Sequence, residues 1–228
     1  MEYAVVLDQY REAPTLLDRV MAYKNDRVVE KFLEEYKVSE VAAQDIFKET
    51  KRWLYFCYLG QSEGQRLEIT ESILVLDKMW HHFVMFTKDY AAFCQEMFGE
   101  FIHHVPVTSS DYSKLIKAHT KPGKSIHEHK QKTLERQLNF VLTHLGRETL
   151  EKWYCDYSYI YSPKALSGMV KPIFSETSRV AISGPARQEI SGFDSGRVVS
   201  TIMGKYITSY YCGTNCGPYC SCSDADAS

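Results

Sequence analysis

Apolar residues recur at helical spacing along most of this 228-residue chain, and this periodicity constrains the fold more than any other feature. Val28, Phe32, Leu33 and Tyr36 show it clearly, because residues three or four positions apart share one face of a helix. The pattern predicts a mainly α fold, a single helical bundle of about six to eight helices. The predicted helical segments are 15–23, 28–36, 39–60, 70–84, 88–98, 111–119, 125–145 and 147–157.

Capping signals support these boundaries. Thr15 with Asp18 three positions later forms the pattern of a capping box, and Ser39 is a predicted N-cap of the third helix. Glycines and threonines mark the remaining ends. We expect Thr70 and Thr87 to open helices, and Gly60, Gly99 and Gly146 to end them.

The periodicity weakens near Pro163, where the chain becomes richer in serine and glycine. We therefore predict a helical domain at residues 1–162 and an irregular, loosely ordered extension at 163–211. Residues 212–228 form a separate cysteine-rich tail.

Charge and hydropathy exclude two classes of partner. The net charge is −2 and the pI is about 6.4, so no basic surplus exists to neutralise a nucleic-acid backbone. No apolar run approaches the ~20 residues that a membrane-spanning helix requires. The N-terminus lacks an export signal, and Cys57, Cys94 and Cys155 are scattered among apolar residues, which favours a reducing, cytoplasmic location. A protein or peptide is then the expected partner.

The segment 66–106 contains the most distinctive polar residues. Asp77 and His81 have i, i+4 spacing and share a helical face, whereas His82 is rotated by ~100°. His103 and His104 follow the next helix, and only one of the two needs to face inward in extended chain. Two histidines and one carboxylate suit non-haem iron(II), and zinc is also compatible.

A purely structural interpretation accounts for the same residues. His81 would bond to a backbone carbonyl while Trp80 fills the core, and Asp77 would accept the indole proton or pair with a lysine. Cys94, on the intervening helix, is expected near the metal arrangement. Whether the protein is an enzyme stays open, because no complete catalytic or metal signature is present.

The run Leu76–Phe83, with Tyr90, Phe93-Cys94 and then His103-His104-Val105-Pro106, resembles the glycine-rich domain-containing protein-like family. The resemblance covers about residues 35–160 and rests on an Asp-x-x-Trp-His element, a Tyr-x-x-Phe-Cys element and a later histidine. It implies a shared core rather than a defined reaction, and the tail departs from the family in having little glycine. The positions that match the motifs are Asp77, Trp80, His81, Tyr90, Cys94 and His104.

Four cysteines lie in the last 17 residues with the spacing C-x3-C-x3-C-x-C. Four thiolates can enclose zinc or copper(I). A tail of this composition is alternatively a modifiable peptide carried by a folded domain, or simply an unstructured end. The cysteines concerned are Cys212, Cys216, Cys220 and Cys222.

Two functions therefore compete. The first is a helical binding or scaffold domain with a His/Asp metal site and a tail that binds metal or a partner. The second is a metal-dependent enzyme or accessory factor that uses zinc or non-haem iron.

Overall fold

The computed structural model describes residues 13–119, 126–171, 191–198 and 201. The chain divides into two compact units, 1–172 and 173–228. The mainly α-helical prediction is confirmed, and the described part of the first unit contains nine α-helices. They are α1 (Leu16–Ala22), α2 (Asp26–Glu35), α3 (Glu40–Ser62), α4 (Leu74–Met85), α5 (Thr87–Phe98), α6 (Ser109–His119), α7 (Ile126–Glu151), α8 (Tyr157–Ile160) and α9 (Pro163–Met169).

Local sequence explains how the first three helices begin. The Thr15 hydroxyl accepts the Asp18 amide proton and the Asp18 carboxylate accepts that of Thr15, so the predicted capping box is present. Asn25 caps α2 by accepting from the Val28 amide, and Ser39 caps α3 as predicted. Each cap satisfies a backbone donor that would otherwise lack a partner at a helix start.

Gly60 does not end α3, contrary to the prediction. The helix continues to Ser62, and Gly60 is buried inside its last turns. A Cβ atom at this position would lie only 2.7 Å from Leu67 Cδ1, so the glycine allows the returning chain to pack closely. Tertiary packing, not helix termination, explains this residue.

Helical structure starts at both predicted threonines, but neither side chain makes a cap bond. Thr70 precedes a 3₁₀ turn, Glu71–Ile73, without a side-chain cap bond, and its hydroxyl is buried without a protein partner. Thr87 is the first residue of α5, and Phe86 occupies the cap position. Gly99 and Gly146 behave as expected, because positive φ angles of 73° and 82° interrupt the helical path there.

Helices α3 and α4 pack together at the centre of the first unit, and α1, α2 and α5 surround them. Burial of aromatic and aliphatic side chains on these faces supplies the main driving force for folding. The largest fully buried side chains are Trp53, Trp153, Tyr90, Phe32, Phe56, Phe83, Phe93, Ile46, Leu54, Ile73, Leu76 and Met79.

A buried polar cluster, which we call the Glu49 cluster, joins α3 to a π-helical turn at Lys152–Asp156. The Glu49 side chain is 1% exposed and accepts hydrogen bonds from Arg52 at 3.0 Å and from the Trp153 indole at 2.9 Å. Lys152 lies 3.2 Å from Glu49 and 2.6 Å from Asp45. Every charge in the cluster is therefore paired.

Residues beyond the predicted domain limit at 162 continue the helical unit. Ser162 caps α9, Pro163 occupies its first turn and Leu166 is buried. An antiparallel bridge then pairs Tyr36 with Val170. The helix α9 thus contributes to the core of the first unit.

Among the described residues of the second unit, 195–198 adopt one helical turn. Across the parts of the chain that the structure describes, no helix is both long and apolar enough to cross a bilayer.

Candidate metal centre

Asp77 and His81 lie one turn apart on α4, as their spacing requires. His81 Nδ1 is 2.6 Å from the Asp77 backbone oxygen and 3.3 Å from its carboxylate Oδ2. In the tautomer that donates the Nδ1 proton to this carbonyl, Nε2 keeps a free lone pair. Such a hydrogen bond is the common way in which a protein orients a metal-binding imidazole.

His104 reaches the same carboxylate from the segment that follows α5. Its Nε2 lies 3.0 Å from Asp77 Oδ1, and its ring centroid is 4.4 Å from that of His81. The ligand atoms of these three residues all lie within 4.8 Å of one another. We call this group the Asp77 cluster.

His103 does not join the Asp77 cluster. Its side chain is exposed, and its ring lies 4.9 Å from that of Phe101. Adjacent residues in extended chain point to opposite sides, so His104 turns inward when His103 turns outward. Of the four histidine and aspartate positions singled out from the sequence, the structure brings three together.

A buried hydrogen-bonded chain fixes the segment that carries His104. The Trp80 indole donates to the Tyr90 hydroxyl at 3.0 Å, and this hydroxyl donates to the Ile102 carbonyl at 2.6 Å. The Trp80 ring also lies 4.3 Å from that of His104. The indole proton therefore goes to Tyr90 and not to Asp77. The other parts of the structural interpretation are observed, because Asp77 pairs with a lysine and His81 bonds to a backbone carbonyl.

Burial raises the pKa of Tyr90 and of neighbouring Cys94. Cys94 is buried beside Tyr90 and is not one of the three grouped ligand residues. Both groups therefore remain protonated at neutral pH, and Tyr90 serves as a fixed donor to Ile102.

The side chains of the Asp77 cluster differ in their exposure to solvent. The side chains of Asp77 and His104 are 15% and 17% exposed, whereas that of His81 is 53% exposed. Lys78 lies 3.2 Å from Asp77 Oδ2. The carboxylate is thus contacted by the mostly buried His104 and by the more exposed Lys78 and His81.

His82 faces the other way, as its helical position predicts. Its side chain is buried, with Nε2 3.0 Å from the Glu35 carboxylate and Nδ1 2.8 Å from the Lys78 backbone oxygen. Its ring packs edge-on against Phe32. This histidine ties α4 to α2 and is separate from the Asp77 cluster.

Sequence reasoning missed the bond from Tyr90 to Ile102, and it expected a lysine partner for Asp77 without identifying Lys78. Tyr90 was one of the matching motif positions, but only its contacts reveal that it fixes the chain beside His104. The possible tail site lies outside the described residues, and it comprises Cys212, Cys216, Cys220 and Cys222.

Comparison with known proteins corrects the expected family. A model of the UCP032817-like family matches residues 15–132, and nothing indicates the glycine-rich domain-containing family. The three short motifs misled the assignment, because short runs of core and helix-face residues do not distinguish families. Searches of curated proteins and of solved structures gave no match. The family description names no activity, but its match spans more than half of the sequence, and the chain belongs to the UCP032817-like family.

Proposed function

We propose that this protein binds a divalent transition metal through Asp77, His81 and His104. The observation that carries the proposal is the convergence of one carboxylate and two imidazoles, with ligand atoms within 4.8 Å of one another. This donor set suits zinc and non-haem iron(II). Asp77 and His104 are held by the fold, and His81 is the ligand that closes the site.

Metal binding requires a small contraction. Two atoms that each lie ~2.1 Å from one ion are at most ~4.2 Å apart. His81 supplies the movement most easily, because its side chain is half exposed. The metal would also displace Lys78 from Asp77, exchanging one positive partner of the carboxylate for another.

Three protein ligands leave at least one coordination position for water or substrate. A metal-dependent enzyme or an accessory factor is therefore compatible with the site. Bound zinc would acidify a water molecule, whereas iron(II) would support oxidation chemistry.

A second candidate is a metal-free binding scaffold. It is favoured by the existing compensation of Asp77, whose carboxylate already contacts Lys78, His81 and His104. Val105 and Val107 are exposed on the segment after His104, where a protein or peptide partner would find apolar contacts. In this alternative, the polar cluster only fixes the end of α4.

The cysteine-rich tail is proposed as an independent ligand for zinc, copper(I) or a partner. The three described cysteines are free thiols, which fits the cytoplasmic location that we propose. The two candidate sites are separated experimentally by substituting serine for Cys212, Cys216, Cys220 and Cys222 together in the full-length chain.

The test is elemental analysis of tag-free, full-length protein, followed by titration with Zn²⁺ and, without oxygen, with Fe²⁺. His81→Ala and His104→Ala should each weaken binding by more than the roughly 10–100-fold caused by losing a group hydrogen-bonded to a ligand. His103→Ala is the matched control and should leave affinity unchanged. Equal affinity in all three variants, or no binding by the wild type, would overturn the proposal.

A further inference from the structure

A cavity of about 410 Å³ lies where the end of α1 and the start of α2 meet α3. Three lysines line it, Lys24, Lys48 and Lys51, together with the aromatic side chains of Tyr23 and Phe47. None of the lining residues belongs to the Asp77 cluster. The cavity is therefore a separate feature of the first unit.

Lys51 is the unusual member of this group, because only 4% of it is exposed. Its ammonium group donates to the backbone oxygen of Met21 at 2.8 Å and to that of Tyr23. These carbonyls satisfy two of its three N–H donors but carry no net charge. Among the described residues, no carboxylate forms an ion pair with Lys51.

The neighbouring lysines add to the uncompensated positive charge around Lys51. Burial, followed by the positive charges of Lys48 and Lys24, lowers the pKa of Lys51 to about 8. Lys24 and Lys48 are exposed, and within the described ranges neither forms an ion pair. Three cationic groups thus share one cavity whose interior member is incompletely compensated.

Two carboxylates also line the cavity, but they do not neutralise the lysines. Asp45 is engaged by Lys152 at 2.6 Å and by the Tyr157 hydroxyl at 2.8 Å. Asp26 is exposed in the first turn of α2. An anion that enters the cavity would meet unpaired ammonium groups and would relieve the repulsion between them.

We propose that this cavity binds a small phosphorylated metabolite, with its phosphate beside Lys24, Lys48 and Lys51 and its remaining part against Tyr23 and Phe47. A doubly charged phosphate matches several ammonium groups better than a single carboxylate does. The volume falls in the range that accepts a small organic ligand. The mixed cationic and aromatic lining favours a phosphomonoester over inorganic phosphate.

The test is calorimetric titration of the full-length chain with inorganic phosphate, phenyl phosphate and acetate. Phenyl phosphate should bind most tightly and acetate most weakly. Lys48→Gln should weaken phosphate binding about tenfold through loss of one charged contact. Lys31→Gln is the matched control, because Lys31 is paired with Glu34 on α2 and does not line the cavity.

Three outcomes would overturn the proposal. One is the absence of binding by wild-type protein at about 10 mM phosphate or phenyl phosphate. Another is an equal effect of Lys48→Gln and Lys31→Gln. The third is equal affinity for phosphate and phenyl phosphate, which would identify the cavity as a site for free phosphate and not for a metabolite. The Lys48 position is exposed, so its substitution tests binding without disturbing the core.

Discussion

The Glu49 cluster and the Asp77 cluster each place a carboxylate among several cationic or hydrogen-bonding groups, yet they differ in access and in the nature of their partners. Glu49 is 1% exposed and is held by Arg52, Lys152 and an indole N–H. Asp77 is 15% exposed and is held by two imidazoles and one lysine. The carboxylate of the first cluster is closed to solvent, whereas that of the second is partly open.

This difference shows how to separate structural ion pairs from candidate sites. Guanidinium and indole groups do not give up their protons near neutral pH and cannot bind a metal. An imidazole can lose a proton near neutral pH and can bind a metal ion. The half-exposed His81 also gives an ion a route to the carboxylate. The chemistry and exposure of the partners therefore matter more than the presence of a buried charge.

The largest effect is expected from Glu49→Gln. This substitution leaves Arg52 and Lys152 without their shared buried carboxylate, and breaking such a pair costs about 3–5 kcal/mol. The free energy of unfolding, measured in urea, should fall by this amount. Glu151→Gln, which removes an exposed partner of Arg147, is the control and should lower the free energy of unfolding far less. Similar losses in the two variants would show that burial of the Glu49 carboxylate does not increase the cost of removing its charge.

Tyr90→Phe tests the connection between the core and the Asp77 cluster. It leaves the Trp80 N–H and the Ile102 carbonyl unpaired in a buried position, which should cost about 2–3 kcal/mol of unfolding free energy. If our metal proposal holds, zinc affinity should fall about tenfold, because the segment carrying His104 loses a fixed point. Tyr159→Phe, at an exposed position, is the control. Unchanged zinc affinity in folded Tyr90→Phe would remove Tyr90 from its positioning role.

Lys51 provides a third kind of buried charge, held by two neutral carbonyls and the face of the Phe47 ring. Its pKa is about 8 in the folded protein and 10.5 in the reference state, so the unfolded chain binds more protons between these values. The free energy of unfolding should therefore rise with pH through this window and lose that gain as pH falls through 8. Allowing for solvent screening, we expect the gain to be about 1–2 kcal/mol.

The measurement for Lys51 is urea unfolding at pH 7.5 and pH 10, comparing wild type with Lys51→Met. The difference between the two proteins isolates this residue from other titrating groups. A difference that does not change with pH would show that Lys51 keeps an ordinary pKa.

Asp77→Asn is the isosteric counterpart of Glu49→Gln and should have the smallest effect on stability, below ~1 kcal/mol. Its partners are partly exposed, so water can compensate for the lost charge. Zinc binding should nevertheless be lost. A stability loss as large as that of Glu49→Gln would indicate that the Asp77 cluster is mainly structural.

The sequence predicted local features better than long-range partners. Helical spacing placed Asp77 and His81 on one face, and the Thr15 and Ser39 caps formed as expected. Spacing could not choose between His103 and His104, because that choice depends on the bond from Tyr90 to Ile102. Gly60 was predicted to end a helix because glycine is common at helix ends, but glycine also occurs where two segments pack closely.

The Glu49 cluster could not be predicted from the sequence, for a different reason. Glu49 and Trp153 are 104 positions apart, and nothing in the local pattern marks them as partners. Lys51 equally resembles an exposed helix residue until Met21 and Tyr23 are seen beside it. Such contacts depend on how helices pack, which periodicity alone does not define.

The bridge between Tyr36 and Val170 has a mechanical consequence. The Lys37 amide donates to the Met169 carbonyl, and the Lys171 amide donates to the Glu35 carbonyl, each at 2.7 Å. Tension applied to residues after Lys171 would load this short ladder before it reached α9 or the core. The two hydrogen bonds would therefore bear the applied force first, and the two amides should exchange with deuterium only when the bridge opens.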